Sequence, residues 1–184
     1  MLSRVRTPAR GFSLIELMLT VAIAATLAVI ALPVLTSVND STKLNTEARK
    51  VEREMQMTRL RSVSTNTVLR FRTNCPGTGD VRAVEVLGTS ADASVSRCDP
   101  TTYAWKTIAP DFASPPNFDG RVVTLIDGAT VNTANVEFRP NGTVWQVDGS
   151  GVVSAISTAV TFTVTRNAKT KTITVNPMGK IQLQ

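Results

Sequence analysis

From Phe12 to Leu32 the chain reads FSLIELMLTVAIAATLAVIAL, 21 residues in which Glu16 is the only charge. Nothing else in the sequence restricts the possible folds as strongly. As a helix rising about 1.5 Å per residue, the run is long enough to cross a bilayer core of about 30 Å. Arg4, Arg6 and Arg10 precede it and no cation directly follows, an asymmetry that holds the N-terminus in the cytoplasm and the bulk of the chain outside. A secretory signal would be cut after the apolar core behind small residues, whereas Ala22, Ala24 and Ala28 lie deep within the run. Glu16 suits neither a signal peptide nor a plain anchor, because an isolated carboxylate in hydrocarbon costs on the order of a few kcal/mol. An intramembrane charge calls for a partner.

The rest of the composition excludes more than it assigns. Histidine is absent and only Cys75 and Cys98 could bind as thiolates, so a multi-cysteine metal site and histidine-based catalysis are ruled out. No Gly-rich phosphate loop of Walker type and no DxD spacing occur, and Asp119-Gly120 and Asp127-Gly128 read as turns. We therefore expect no enzyme, cofactor or metal. The net charge of +6 falls to +3 once residues 1–11 are set aside, leaving 17 basic against 14 acidic residues, an ordinary soluble surface.

With Gly11 in front of it, the start of the apolar run carries a specific pattern. Gly11-Phe12-Ser13-Leu14-Ile15-Glu16-Leu17 resembles the processing motif of type IV pilins and type II secretion pseudopilins. The resemblance implies that a prepilin peptidase cuts between Gly11 and Phe12 on the cytoplasmic side and N-methylates Phe12. Residues 1–11 are then a basic leader, and Glu16 is the fifth residue of the mature chain. Cleavage creates an amine at Phe12 that Glu16 cannot comfortably meet on its own helix. A staggered neighbouring subunit can present its amine instead. Such a pair gains Coulomb energy in low dielectric but loses much of it to desolvation, so its better-supported role is to set register. A glutamate in a first helical turn also interacts well with the helix dipole.

Pro33 follows the span directly. A proline within a helix removes a donor and bends it, whereas at a helix end it simply terminates it. In pilin-like chains a proline near this position accompanies local unwinding during assembly. Past a polar break at TSVNDST, Leu44, Ala48, Val51 and Met55 recur at i, i+4, i+7 and i+11, the apolar stripe of an amphipathic helix running to about residue 62 or 63. Asp40 or Ser41 is its expected cap. Residues 43–72 hold eight basic residues, namely Lys43, Arg49, Lys50, Arg53, Arg59, Arg61, Arg70 and Arg72, against three acidic ones. That is a solvated or filament-paired helix face, with a nucleic-acid groove as the alternative.

After residue 66 the pattern turns strand-like. Strands are expected at 67–73, 81–87, 103–108, 121–126, 134–139, 143–147, 158–166, 170–175 and 179–183. TFTVTR and TKTITV read as a hairpin around NAK, and FRPNGTVW as another around Asn141-Gly142. Cys75 and Cys98 bracket a turn-rich stretch outside the cytoplasm, where a disulfide is the expected state; a reactive free thiol would require an electropositive exposed site. Residues 110–120 read as a long surface loop.

The fold class that follows is α+β, a long N-terminal helix packed on an antiparallel β head. Its parts are a leader (1–11), a membrane-spanning half-helix (12–33), an amphipathic half-helix (34–65) and the head (66–184). The C-terminal half of that head, VEFRPNGTVW and ITVNPMGKIQL, is similar to GspH/FimT-type minor pilins, which carry a Phe-x-Pro-x-Gly turn and a closing strand–glycine–basic strand. Here these are Phe138, Pro140 and Gly142, then Gly179 and Lys180. The resemblance implies a minor pilin that helps start or cap a type IV pilus, with a secretion-system pseudopilin as the alternative. Implied partners are the peptidase, other pilins and an inner-membrane assembly platform. The chain would sit in the bacterial inner membrane as a single-pass protein, head periplasmic, and then in the pilus or pseudopilus. Some FimT-like relatives take up DNA through a glycine–arginine–x–arginine motif. This chain has Gly179-Lys180-Ile181-Gln182, and losing one of two phosphate contacts weakens such binding, so nucleic acid is not the expected partner.

Overall fold

The computed structural model describes residues 11–89, 92, 94–106, 114–126 and 128–184. Among the described residues one helix, α1, runs Leu14–Thr65 with Pro33 inside it, and ten strands and a short 3-10 turn follow. The chain divides into two compact units, one ending at Asn39 and one covering Asp40–Gln184.

The polar segment expected to break the helix does not break it. Ser, Asn, Asp and Thr each cost only a few tenths of a kcal/mol inside a helix, and this segment has tertiary partners. The Asp40 carboxylate accepts from Arg166 Nη1 at 2.5 Å, and Lys169 Nζ donates to Ser41 Oγ at 2.8 Å. Asp40 and Ser41 are thus tethers within the second unit rather than caps. Pro33 likewise lies within the helix, not at its end. The helix closes at Thr65, where Asn66 takes a left-handed conformation and the Thr67 amide donates back to the Ser62 carbonyl, a C-terminal cap in which asparagine stands where glycine is commonest.

The strands form two antiparallel sheets. The first has the order β3 (Val123–Thr124), β2 (Asp80–Glu85), β1 (Leu69–Thr73), β5 (Asn135–Phe138), β6 (Val144–Val147), β7 (Val153–Ala155). The second is β10 (Ile181–Leu183), β9 (Lys169–Val175), β8 (Val160–Arg166), β4 (Thr130–Val131). Alternation sets their register: Phe162 and Val164 point inward on β8, opposite Ile173 and Lys171 of β9. Phe71 of the first sheet meets Phe162 of the second edge to face, with ring centroids 6.1 Å apart. The helical stripe Leu44, Ala48, Val51 and Met55 joins Phe71, Val136, Phe138, Phe162, Ile173 and Val175 in one core. Its burial is what holds the amphipathic half of α1 in place, at about 1.5–3 kcal/mol for each large side chain.

Seven of the nine expected strands are present with ends shifted by at most two residues, β9 gaining one residue, and 121–126 shrinks to the two-residue β3. The strand expected at 103–108 is not formed over its described residues 103–106, and 107 and 108 lie outside the described residues. Instead, the Arg82 guanidinium holds this stretch against the sheet, donating to the carbonyls of Gly120 (2.8 Å), Arg97 (3.1 Å) and Tyr103. The Tyr103 carbonyl, taken by this buried arginine, is not available to a ladder. Two short strands, β4 and β7, had no sequence expectation. Of the segment read as a surface loop, residues 110–113 lie outside the described residues, and Asn117 and Asp119 are buried. Asp119 accepts from the Glu85 amide (2.7 Å) and from Arg97 Nη2 (3.1 Å), so it is an interior ion-pair residue and not merely a turn former. Asp127 lies outside the described residues.

Cys75 and Cys98 form a disulfide, with Cα atoms 4.9 Å apart and both side chains buried. It pins the 3-10 turn Val95–Cys98 to the end of β1.

Candidate functional site

Gly11, Phe12 and Ser13 lie ahead of the first helical residue, Leu14. The Ser13 carbonyl accepts from the amides of both Glu16 and Leu17 at 3.1 Å, which starts the helical ladder immediately past the predicted cut. Glu16 is thereby in the first turn, where its charge complements the unpaired amides of the helix start. Phe12 is 82% exposed, and Leu14, Ile15, Leu17, Met18 and Leu19 are all more than half exposed. The apolar side chains from Leu14 to Leu35 are all exposed. The helix is long and apolar enough to cross a membrane, its most apolar 18-residue window having a mean hydropathy of 2.5.

The threonine hydroxyls in and just past the apolar run are satisfied locally. Thr20, Thr26 and Thr36 donate to the carbonyls of Leu17, Ile23 and Pro33 at 2.8–2.9 Å. Threonine can therefore sit in a lipid-facing helix without an unsatisfied donor. Among the described residues, the Glu16 carboxylate has no such local partner. The arginines of the leader, Arg4, Arg6 and Arg10, lie outside the described residues.

A second group of predicted residues comes together in the other unit. Phe138 is fully buried at the end of β5, and Arg139, Pro140, Asn141 and Gly142 make the turn to β6. Gly142 has φ +83°, its amide donating to the Arg139 carbonyl at 2.9 Å. Gly179, with φ +75°, occupies the corresponding place in the turn from β9 to β10. A Cβ on Gly179 would stand 2.5 Å from Arg59 Nε and 2.7 Å from the Gly142 carbonyl oxygen. Arg59 Nη2 also donates to the Met178 carbonyl at 3.3 Å. The two turns that carry the family-like glycines, one from each sheet, therefore meet at a single arginine of α1. Sequence reasoning placed Arg59 among surface cations; only the packing of two turns distant in sequence gives it this role.

Lys180, the residue considered for DNA contact, is exposed. The wider basic run of residues 43–72 is not a continuous cationic track. Arg70 is buried against Glu137 (2.7 Å), Arg72 donates to the Ser94 carbonyl (2.7 Å), Lys50 is paired with buried Glu47 (2.8 Å) and Arg59 serves the turn junction. Glu47 was unmarked in the sequence, because a glutamate beside a lysine reads as surface. Buried, it also accepts from the Ile126 amide at 3.1 Å, tying α1 to the chain just past β3. Among the described residues no cluster of three or more His, Cys, Asp or Glu could hold a metal ion.

Comparison with known proteins places one of these features. Residues 6–32 match the family model described as the prokaryotic N-terminal methylation motif. The crystal structure of the type IV minor pilin FimU of Pseudomonas aeruginosa PAO1 is similar over 76% of this chain and 91% of that one, at 17% identity and a TM-score of 0.46. No curated protein sequence matches the chain significantly. The chain thus carries the prokaryotic N-terminal methylation motif on the first turns of a helix apolar enough to cross a membrane, with an antiparallel β head following it.

Proposed function

We propose that the protein is a minor pilin that contributes to the assembly of a type IV pilus through packing of its N-terminal helix against those of other subunits. The observation that carries this reading is the arrangement at the helix start. A methylation motif spans a glycine–phenylalanine junction, and a carboxylate follows in the first turn of a helix whose apolar side chains from Leu14 to Leu35 are exposed. In this reading prepilin peptidase removes residues 1–11 and methylates Phe12, and the chain then waits in the inner membrane with its head periplasmic. An assembly platform transfers it to the filament, where the Phe12 amine of a neighbour meets Glu16. The role is structural rather than catalytic.

Mass spectrometry of the mature protein tests the reading at its root. The expected N-terminus is a methylated Phe12, and a chain that retains Met1 or begins elsewhere overturns the proposal. Charge pairing has its own test. Glu16→Ala should be cleaved and membrane-inserted like the parent but recovered poorly in sheared filaments, and equal recovery would remove Glu16 from the assembly step.

A further inference from the structure

Beyond the core-facing stripe, the second half of α1 carries another row of side chains that borders a groove of about 560 Å³ within the unit Asp40–Gln184. Met57 and Leu60 line the helix side and Trp105 the opposite wall, and they are 54%, 61% and 45% exposed. Three large apolar side chains left half open around one concavity are unusual for a finished surface; tryptophan, methionine and arginine are the residues enriched where proteins meet. Among the described residues, the charges lining the groove are Arg53, Arg61 and Arg121 against the carboxylate of Glu54. Partial burial pushes the Glu54 carboxyl up, with Arg121, Arg61 and Arg53 pulling it the other way.

We propose that this groove docks a segment of a different filament subunit, one carrying a carboxylate next to an aromatic or aliphatic side chain. The carboxylate lies among the three arginines and the apolar side chain fills the space between Met57, Leu60 and Trp105. Charge selects the partner. The unit Asp40–Gln184 holds 17 basic and 13 acidic residues, so a second copy meets it with the same sign, whereas an acidic segment is attracted and oriented. A nucleic acid fits the groove less well. It would find one ring to stack on, a carboxylate among its phosphates, and a thioether and an isobutyl group where a backbone track needs cations. Arg70 and Arg72, which could have extended such a track, are committed to Glu137 and to the Asp92 and Ser94 carbonyls. That the partner is a filament subunit rests on the function proposed above; the preference for an acidic, apolar segment rests on the groove alone.

The test is a photo-crosslinking amino acid placed at Leu60 of the full-length chain in its own cells, with the attached peptide identified by mass spectrometry. The expected product joins Leu60 to a different pilin-like subunit, with an Asp or Glu within about one helical turn of the attachment point. Arg121→Glu should lower the yield at least about fivefold, and reversing the partner's carboxylate to lysine should restore it. Attachment only to a second copy, to the same chain, to nucleic acid or to lipid overturns the proposal, as does a yield indifferent to Arg121→Glu. The same samples are checked for methylated Phe12 and for recovery in filaments. If both are normal and no crosslink forms, the groove proposal alone falls; if both are lost without any change at Leu60, the filament reading falls and takes the partner's identity with it.

Discussion

Two positions carry backbone requirements that their side chains meet differently. The hairpin from β8 to β9 closes Arg166 onto Lys169 with Asn167 and Ala168 at the tip, at φ +46° and +61°. Both signs belong to the two-residue turn that matches strand twist, in which asparagine is at home and alanine is not. Ala168→Gly should therefore raise stability by about 0.5–1 kcal/mol, read as a shift in denaturant midpoint at unchanged slope; a lower midpoint would mean the turn has another geometry. Gly179 is the opposite case, since its left-handed backbone and the crowding by Arg59 and the Gly142 carbonyl both exclude a side chain. Gly179→Ala should cost about 1–3 kcal/mol. Adding Arg59→Ala should recover only part of that loss, because the Gly142 oxygen at 2.7 Å belongs to the backbone and cannot retreat. Full recovery in the double variant would show that Arg59 was the only obstacle.

Among the elements, the described part of the excursion between β2 and β3 is fastened by the disulfide, the buried arginines and a turn at Asp99. The Asp99 carboxylate accepts from the Thr101 amide and from the Thr101 and Thr102 hydroxyls, each at 2.8 Å. The Thr101 amide, followed by those hydroxyls, holds its carboxyl down to about 2. A carboxyl lowered on folding adds stability above its ordinary range and loses that contribution as pH falls through the folded value. The parent protein should therefore weaken from about pH 4 down to about 2, and Asp99→Asn should flatten that part of the curve in melts monitored by near-ultraviolet circular dichroism. Identical acid limbs would rule the turn out as the source. This excursion is also where the sequence was hardest to read. The helix stripe from Leu44 to Met55 and the hairpins at Asn141-Gly142 and at residues 166–169 announce themselves, because periodicity and turn chemistry are local. Arg82, Arg97 and Asp119 do not, since a charged side chain looks alike in sequence whether it faces water or three carbonyls. The polar stretch around Asp40 misleads for the same reason: its composition suggests a break, but Arg166 and Lys169, more than a hundred residues away, support it as helix. The start of the candidate site was the most legible part, because Gly11, Phe12 and Glu16 are adjacent in sequence and need no tertiary contact to be recognised. The Arg59 junction and the groove at Trp105 were not visible, as both are made by segments distant along the chain.

At the scale of the whole molecule, the two units carry opposite kinds of unfinished surface. The first has an apolar helix whose side chains from Leu14 to Leu35 are exposed, and the second has a closed core with a basic, half-apolar groove. If the first is released for assembly by cutting at Gly11, a bulky replacement such as Gly11→Leu should leave only the precursor on an immunoblot and no subunit in filaments. A mature-sized band would place the cut elsewhere. The core of the second unit has a further consequence, one of timing. Its helical side, Leu44 to Met55, leaves the ribosome early, whereas Phe162, Val164, Ile173 and Val175 come near the end of the chain. The stripe must therefore remain without these partners until β8 and β9 have been made. A transcript cut short anywhere before β9 yields a chain that cannot close its core, so β8 and β9 act as a checkpoint on core closure.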